Sequence, residues 1–167
     1  MVMAVFVSCF GVTAAEGVTD SVPAEYQAVI FKKVCDRFLP DLKDNVSITV
    51  VYNENNQAQK DAVIKMFSQV NFKVDAVEAA NLDQAKGDIV YLPGNTDKAL
   101  LKAAKASNRF VLTSNRDYVD AGYASMGIVD QNKRPHLVAN IQHLESSQTD
   151  VNLALFRYIQ VADKFNL

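Results

Sequence analysis

Six polar residues follow directly on runs rich in β-branched and aromatic residues. Asn53 and Asn55 come after VSITVVY (46–52), Asn95 and Thr96 after GDIVYLPG (87–94), and Ser114 and Asn115 after FVLT (110–113). If these runs are parallel strands of an open sheet, all six residues lie at its carboxyl edge, where such sheets bind ligands. Helix N-termini beside that edge would offer free N–H groups to an anion. Arg116 and Tyr118 follow closely and would add a charge and an aromatic ring. Asn, Ser and Thr in these places also serve as ordinary helix caps. Two readings therefore stand: capping alone, or capping together with a site for a ligand bearing hydroxyl or anionic groups.

Other chemistry is harder to find in the residues. The six glycines form neither GxGxxG nor GxxxxGK[ST], and no GxSxG elbow occurs. His136 and His143 are expected on a strand and just past its end, where they do not converge on one metal. No carboxylate pair falls where strand ends would join it for acid/base work, and a receiver domain's acidic positions hold Tyr52-Asn53 and Pro93-Gly94. A net charge of −2 argues against a nucleic-acid partner, which requires a basic surface. The expectation is a non-enzymatic protein with no cofactor and no metal.

Residues 1–15 (MVMAVFVSCFGVTAA) carry twelve apolar residues, no charge and a small-residue end. They read as a secretory signal peptide cleaved near Ala14 or Ala15, which places the mature chain, 16–167, in the periplasm. No other run reaches the roughly 18 apolar residues of a membrane span, so none is expected in the mature chain. That chain retains Cys35 alone, expected to be a small hydrophobe packed in a core.

The elements that must position these residues alternate. Helices are expected over 23–38, 57–70, 96–106 and 115–121, the last capped by Ser114, with strands over 46–52, 72–77, 87–92 and 110–113. In the first helix Tyr26, Val29, Ile30, Val34 and Phe38 form one apolar stripe. After Gly122 the pattern changes to a hairpin, 124–129 with 135–142, joined by a polar turn. A final helix is expected to dock through Val151, Leu155, Ile159 and Ala162. Together these predict a single three-layer α/β domain over 16–167, Rossmann-like or flavodoxin-like. Its mostly parallel sheet of βαβ units has a 2-1-3-4 core, the antiparallel hairpin at the edge and a closing helix. An exposed edge hairpin is a place to pair with another chain. Pro135, Asp130, Lys133 and Arg134 read equally well as protection of that edge against aggregation.

The order of segments resembles the YfiR-like family of periplasmic proteins, which carry a domain of otherwise unknown function. The stretches concerned are VSITVVYNENN, GDIVYLPGN and, above all, RFVLTSNRDYVDAGYASMGIVDQNKRPHLVANIQHLESS, within residues 23–165. There Gly122 ends a short segment after a strand, Gly127 lies in a strand that turns back, and Asn140 precedes the last helix; these three match the family's pattern. The resemblance implies an exported regulator. The name-giving member restrains a membrane-bound diguanylate cyclase through the cyclase's periplasmic part, is dimeric, and uses disulfides to control its state. Implied partners are thus the periplasmic domain of an inner-membrane sensor or cyclase, and a second copy as homodimer. Cys35, without a second cysteine in the mature chain, departs from the disulfide control. Separately, VVYNENN with its amphipathic helix is similar to the first lobe of solute-binding proteins. This supports the alternative expectation, a single-lobe periplasmic module that binds a small molecule.

Overall fold

The structure, a computed structural model, describes residues 22–42 and 46–161. The expected signal peptide, its expected cleavage point and Ala162 lie outside the described residues. Seven strands form one sheet in the order β2-β1-β3-β4-β5-β6-β7. They are β1 (Ser47–Tyr52), β2 (Lys73–Glu78), β3 (Ile89–Leu92), β4 (Phe110–Thr113), β5 (Met126–Asp130), β6 (Pro135–Ala139) and β7 (Ile159–Val161). Neighbours are parallel except β5 and β6, whose antiparallel register pairs Ile128 with Leu137. The α/β class, the 2-1-3-4 core and the antiparallel hairpin agree with the sequence expectation.

Two layers of helices cover the sheet. On the first face lie α1 (Ala24–Phe38) and α2 (Gln57–Gln69). Phe31 sits between Phe67, Phe72 and Phe110, at ring separations of 6.4, 6.0 and 5.9 Å. Ile48, Val50, Ile89, Tyr91, Leu112 and Met126 complete that core. On the second face α3 (Lys98–Ala106) and α4 (Arg116–Asp120) pack through Leu100, Leu101, Ala104 and Val119 onto Val51, Val90, Val111 and Val138. The central strands are buried on both sides because β-branched residues fill both faces of the pleat. No helix among the described residues is long and apolar enough to cross a membrane.

Four expectations are corrected. Among the described residues the closing helix does not form. A short α5 (Ile141–Ser146) follows β6, Gln148 turns the chain with φ 53°, a 3-10 turn spans Leu153–Arg157, and Ile159–Val161 is a strand. The three-four spacing of Val151, Leu155 and Ile159 coincides with the period-two pattern of Ile159 and Val161, and pairing with the otherwise open β6 decides for strand. The hairpin is therefore not the sheet edge, and β6 ends at Ala139, so Val138, Ala139 and Asn140 are all buried. In α1 the inward face is Gln27, Ala28, Phe31, Val34 and Cys35, while Tyr26 and Val29 face outward at 60% and 43% exposure. Gln27 turns inward because it accepts the buried Tyr91 hydroxyl at 2.8 Å. Finally Asn115, not Ser114, caps α4, and Asp97 caps α3.

Candidate functional site

The carboxyl ends of β1, β3 and β4 do lie along one edge, and the polar residues there divide into two groups. Around the β3 and β4 ends, loops bond to each other. The Tyr118 hydroxyl donates to the Gly94 carbonyl at 2.6 Å and accepts the Thr96 N–H at 3.0 Å. Asn115 donates its amide to the same Gly94 carbonyl at 3.2 Å, while its side-chain oxygen accepts the Asp117 N–H. The Thr96 hydroxyl donates to the Pro93 carbonyl at 2.7 Å. Partial burial pushes the Tyr118 hydroxyl pKa up, which keeps it protonated as a donor. These contacts are a staple that holds the β3–α3 loop on α4.

Other sequence-predicted residues do not join this staple. Arg116 pairs with Asp120 and reaches Gln160, both at 3.3 Å, on the flank of the sheet. Asn95 is exposed, and Ser114 is buried with its hydroxyl oxygen unpartnered. Asn53 makes a capping box: its side chain accepts the Asn55 N–H at 2.9 Å, and its own N–H donates to Asn56 at 2.8 Å. Asn55 itself is exposed.

The β1 end differs because the chain leaves β1 and β3 in opposite directions. The connection through α2 covers the first face and that through α3 covers the second, which leaves a crevice at the strand ends. A cavity of about 630 Å³ occupies this end of the molecule. Tyr52, Asn53, Glu54 and Gln57 line one side; Glu78, Asp97, Ala99 and Leu100 line the others. Of the predicted residues Asn53 alone reaches it. Glu78 and Asp97 were missed, although the rule that marked Asn53 would have found Glu78 if applied to the end of β2.

The three C-terminal positions converge at the opposite end. Gly122 has φ 70°, a backbone conformation that favours glycine. A Cβ there would lie 3.6 Å from the Asn140 amide nitrogen. That amide donates to the Val119 carbonyl at 3.1 Å, and the Asn140 side-chain oxygen accepts the His143 N–H at 2.9 Å, so Asn140 ties α4 to α5. Gly127 lies under α4, where a Cβ would come within 2.8 Å of Val119 Cγ2.

No protein-family model matches the chain, and no curated protein matches it. Solved structures do. One is a conserved domain protein from Vibrio cholerae O1 biovar eltor strain N16961, with a TM-score of 0.64 over 83% of this chain at 16% identity. Another is an ABC domain in complex with L-Trp from Streptococcus pneumonia, with a TM-score of 0.62 over 83% of this chain at 12% identity. The chain spans 60% of the length of each. At such identities the likeness establishes the fold alone: this is an α/β domain of the architecture those two proteins share.

Proposed function

We propose that this chain is a small-molecule-binding module, a single lobe whose ligand occupies the cavity at the carboxyl ends of β1, β2 and β3. The observation that carries the reading is the cavity's place, at the point where consecutive connections diverge to opposite faces and doubly wound sheets bind ligands. The likeness to an ABC domain in complex with L-Trp supports it. Glu54, Glu78 and Asp97 are the charged residues in the cavity's lining, and the nearby Lys60 lies over the Tyr52 ring at 4.5 Å and pairs with Asp61, so a ligand with a cationic group fits better than an anion. A thermal-shift screen of amines, amino acids and sugars tests this. A ligand at 100 times its dissociation constant adds about 2.7 kcal/mol, and Glu78→Gln should weaken an amine. A panel without any shift overturns the reading.

A second reading is favoured by the convergence of Gly122, Gly127 and Asn140: an exported periplasmic regulator like the YfiR-like proteins, acting on the periplasmic domain of an inner-membrane sensor or cyclase. Among the described residues the sheet has two edge strands, β2 and β7, and β7 is flanked by Leu153, Phe156 and Tyr158 at 78%, 37% and 66% exposure. Affinity capture from solubilised envelope tests it. Recovery of a membrane cyclase or sensor, lost on Leu153→Asp, supports a regulator; recovery of neither sinks it.

A further inference from the structure

The cavity at the carboxyl edge has two unlike walls. Ala99, Leu100 and Ala103 of α3 form one side of an apolar wall, and Ala79 and Ala80 form the other, from the 3-10 segment Ala79–Gln84 that packs on α3. Ala99 and Ala103 stand four residues apart, on one face of the helix, and as alanines they leave the space in front of that face open. Tyr52 adds an aromatic ring to the lining. The charged wall is assembled from three separate elements: Glu54 after β1, Glu78 at the end of β2 and Asp97 before α3. Among the described residues none of these carboxylates makes an ion pair.

The same lining has no place for a ligand carboxylate. The N–H groups that open α3 are the natural anion site on that wall, and the Asp97 carboxylate already occupies it, accepting the Leu100 N–H at 2.9 Å. Lys60 is held by the Tyr52 ring and by Asp61. An amino acid entering the cavity would therefore bring its carboxylate against three like charges, whereas its ammonium alone would meet three acceptors. A volume of about 630 Å³ also leaves room for a ring-sized body beside the ammonium.

On the reading of this cavity as a ligand site, on which the assignment rests, we infer that the ligand is a primary amine with an apolar, ring-sized body and no carboxylate. Its ammonium lies among Glu54, Glu78 and Asp97, and its body lies against Ala99, Leu100 and Ala103.

Calorimetric titration of the full chain with four probes separates the three groups. Phenethylamine carries ammonium and ring, L-phenylalanine adds a carboxylate, ethylamine lacks the ring, and hydrocinnamate replaces the ammonium by a carboxylate. Phenethylamine should bind tightest, L-phenylalanine and ethylamine each at least about tenfold more weakly, equivalent to about 1.4 kcal/mol, and hydrocinnamate not at all. Glu78→Gln, at an exposed position, should weaken phenethylamine about tenfold through the loss of one charge-assisted contact. Ala103→Lys, also exposed, supplies the cation that the lining lacks and should narrow the gap between L-phenylalanine and the amine. L-phenylalanine binding as tightly as phenethylamine overturns the amine assignment and leaves the cavity a ligand site. Ethylamine binding as tightly refutes the apolar body, and unchanged affinities in both variants refute the placement. Silence from all four probes overturns the assignment; a sugar that still shifts the melting temperature then keeps the cavity reading, while silence there as well sinks both.

Discussion

Gly127→Ala tests how α4 is held against the sheet, and its cost can be worked from three distances. The new Cβ would stand 2.8 Å from Val119 Cγ2, 3.0 Å from Val138 Cγ2 and 3.3 Å from Val129 Cγ1. All three valines are essentially buried, so none can swing into solvent. Forcing a methyl into such a site costs about 1–3 kcal/mol. Against this, alanine in a strand interior recovers about 0.5–1 kcal/mol relative to glycine. With the closest contact at 2.8 Å, where a neighbour must shift, the cost of the methyl falls in the upper part of its range, about 2–3 kcal/mol. The net expectation is a loss of about 1–2.5 kcal/mol, which with a urea m-value of about 2 kcal/mol/M moves the midpoint down by about 0.5–1.2 M. Val119→Ala alone leaves a cavity under α4 and costs about 1–3 kcal/mol. In the double variant the methyl added at position 127 enters the space that the valine side chain at 119 vacates. The double variant should therefore lose at least about 1 kcal/mol less than the two single losses added together. Urea unfolding of the four proteins measures this. A single variant as stable as the parent, or strict additivity in the cycle, would refute the claim that contact with Gly127 sets the height of α4.

Tyr118→Phe removes the hydroxyl that joins Gly94 to Thr96; leaving the Thr96 N–H unpaired should cost about 1–2 kcal/mol, and hydrogen exchange at that amide should quicken while α1 is unchanged. Burial, with the Asp36 charge second, pushes the Cys35 thiol up to about 12; mass-spectrometric peptide mapping should find it unalkylated in the native protein at pH 8 and modified once unfolded. His143 has its pKa lowered, first by burial, so below about 6.5 the unfolded chain takes up a proton that the folded ring resists. Stability should hold above that pH and fall as acid is added, and His143→Gln should flatten this slope in urea titrations from pH 7 to 5.

What could be read in advance, and what could not, follows from the range of the interactions concerned. β1, β3 and β4 announce themselves because VSITVVY, GDIVYL and FVLT are local runs that only a doubly covered strand explains. The 2-1-3-4 core is the layout doubly wound sheets favour, and the structure has it, but handedness of the crossovers alone does not fix strand order. β7 escaped because its three residues continue the spacing of Val151 and Leu155, and only the vacant side of β6, some twenty residues away, makes them a strand. The α1 face differs from the expected stripe chiefly in its first two turns, where Tyr26 and Val29 are apolar yet face outward and Gln27 is polar yet faces inward, while Val34 is buried as expected. The Tyr91 hydroxyl, pushed up to about 12 by burial and bonded to Gln27 across 64 residues, reverses that preference.

The fate of the strand-end polar residues comes from where the chain goes next. After β3 and after β4 it turns to the same face, so α3 and α4 lie side by side and their entry loops are close enough for Tyr118, Asn115 and Thr96 to satisfy one another. After β1 it turns to the other face, and Asn53 finds no facing loop to bond, only its own turn. Residues of one chemical kind therefore become structural on one side of β3 and border an open cavity on the other. Type and spacing identified the edge; the direction of each crossover decides which part of it remains available to a ligand. Ligand-binding tests therefore belong on Glu78 and Asp97, while substitutions at Tyr118 and Asn115 should act first through stability.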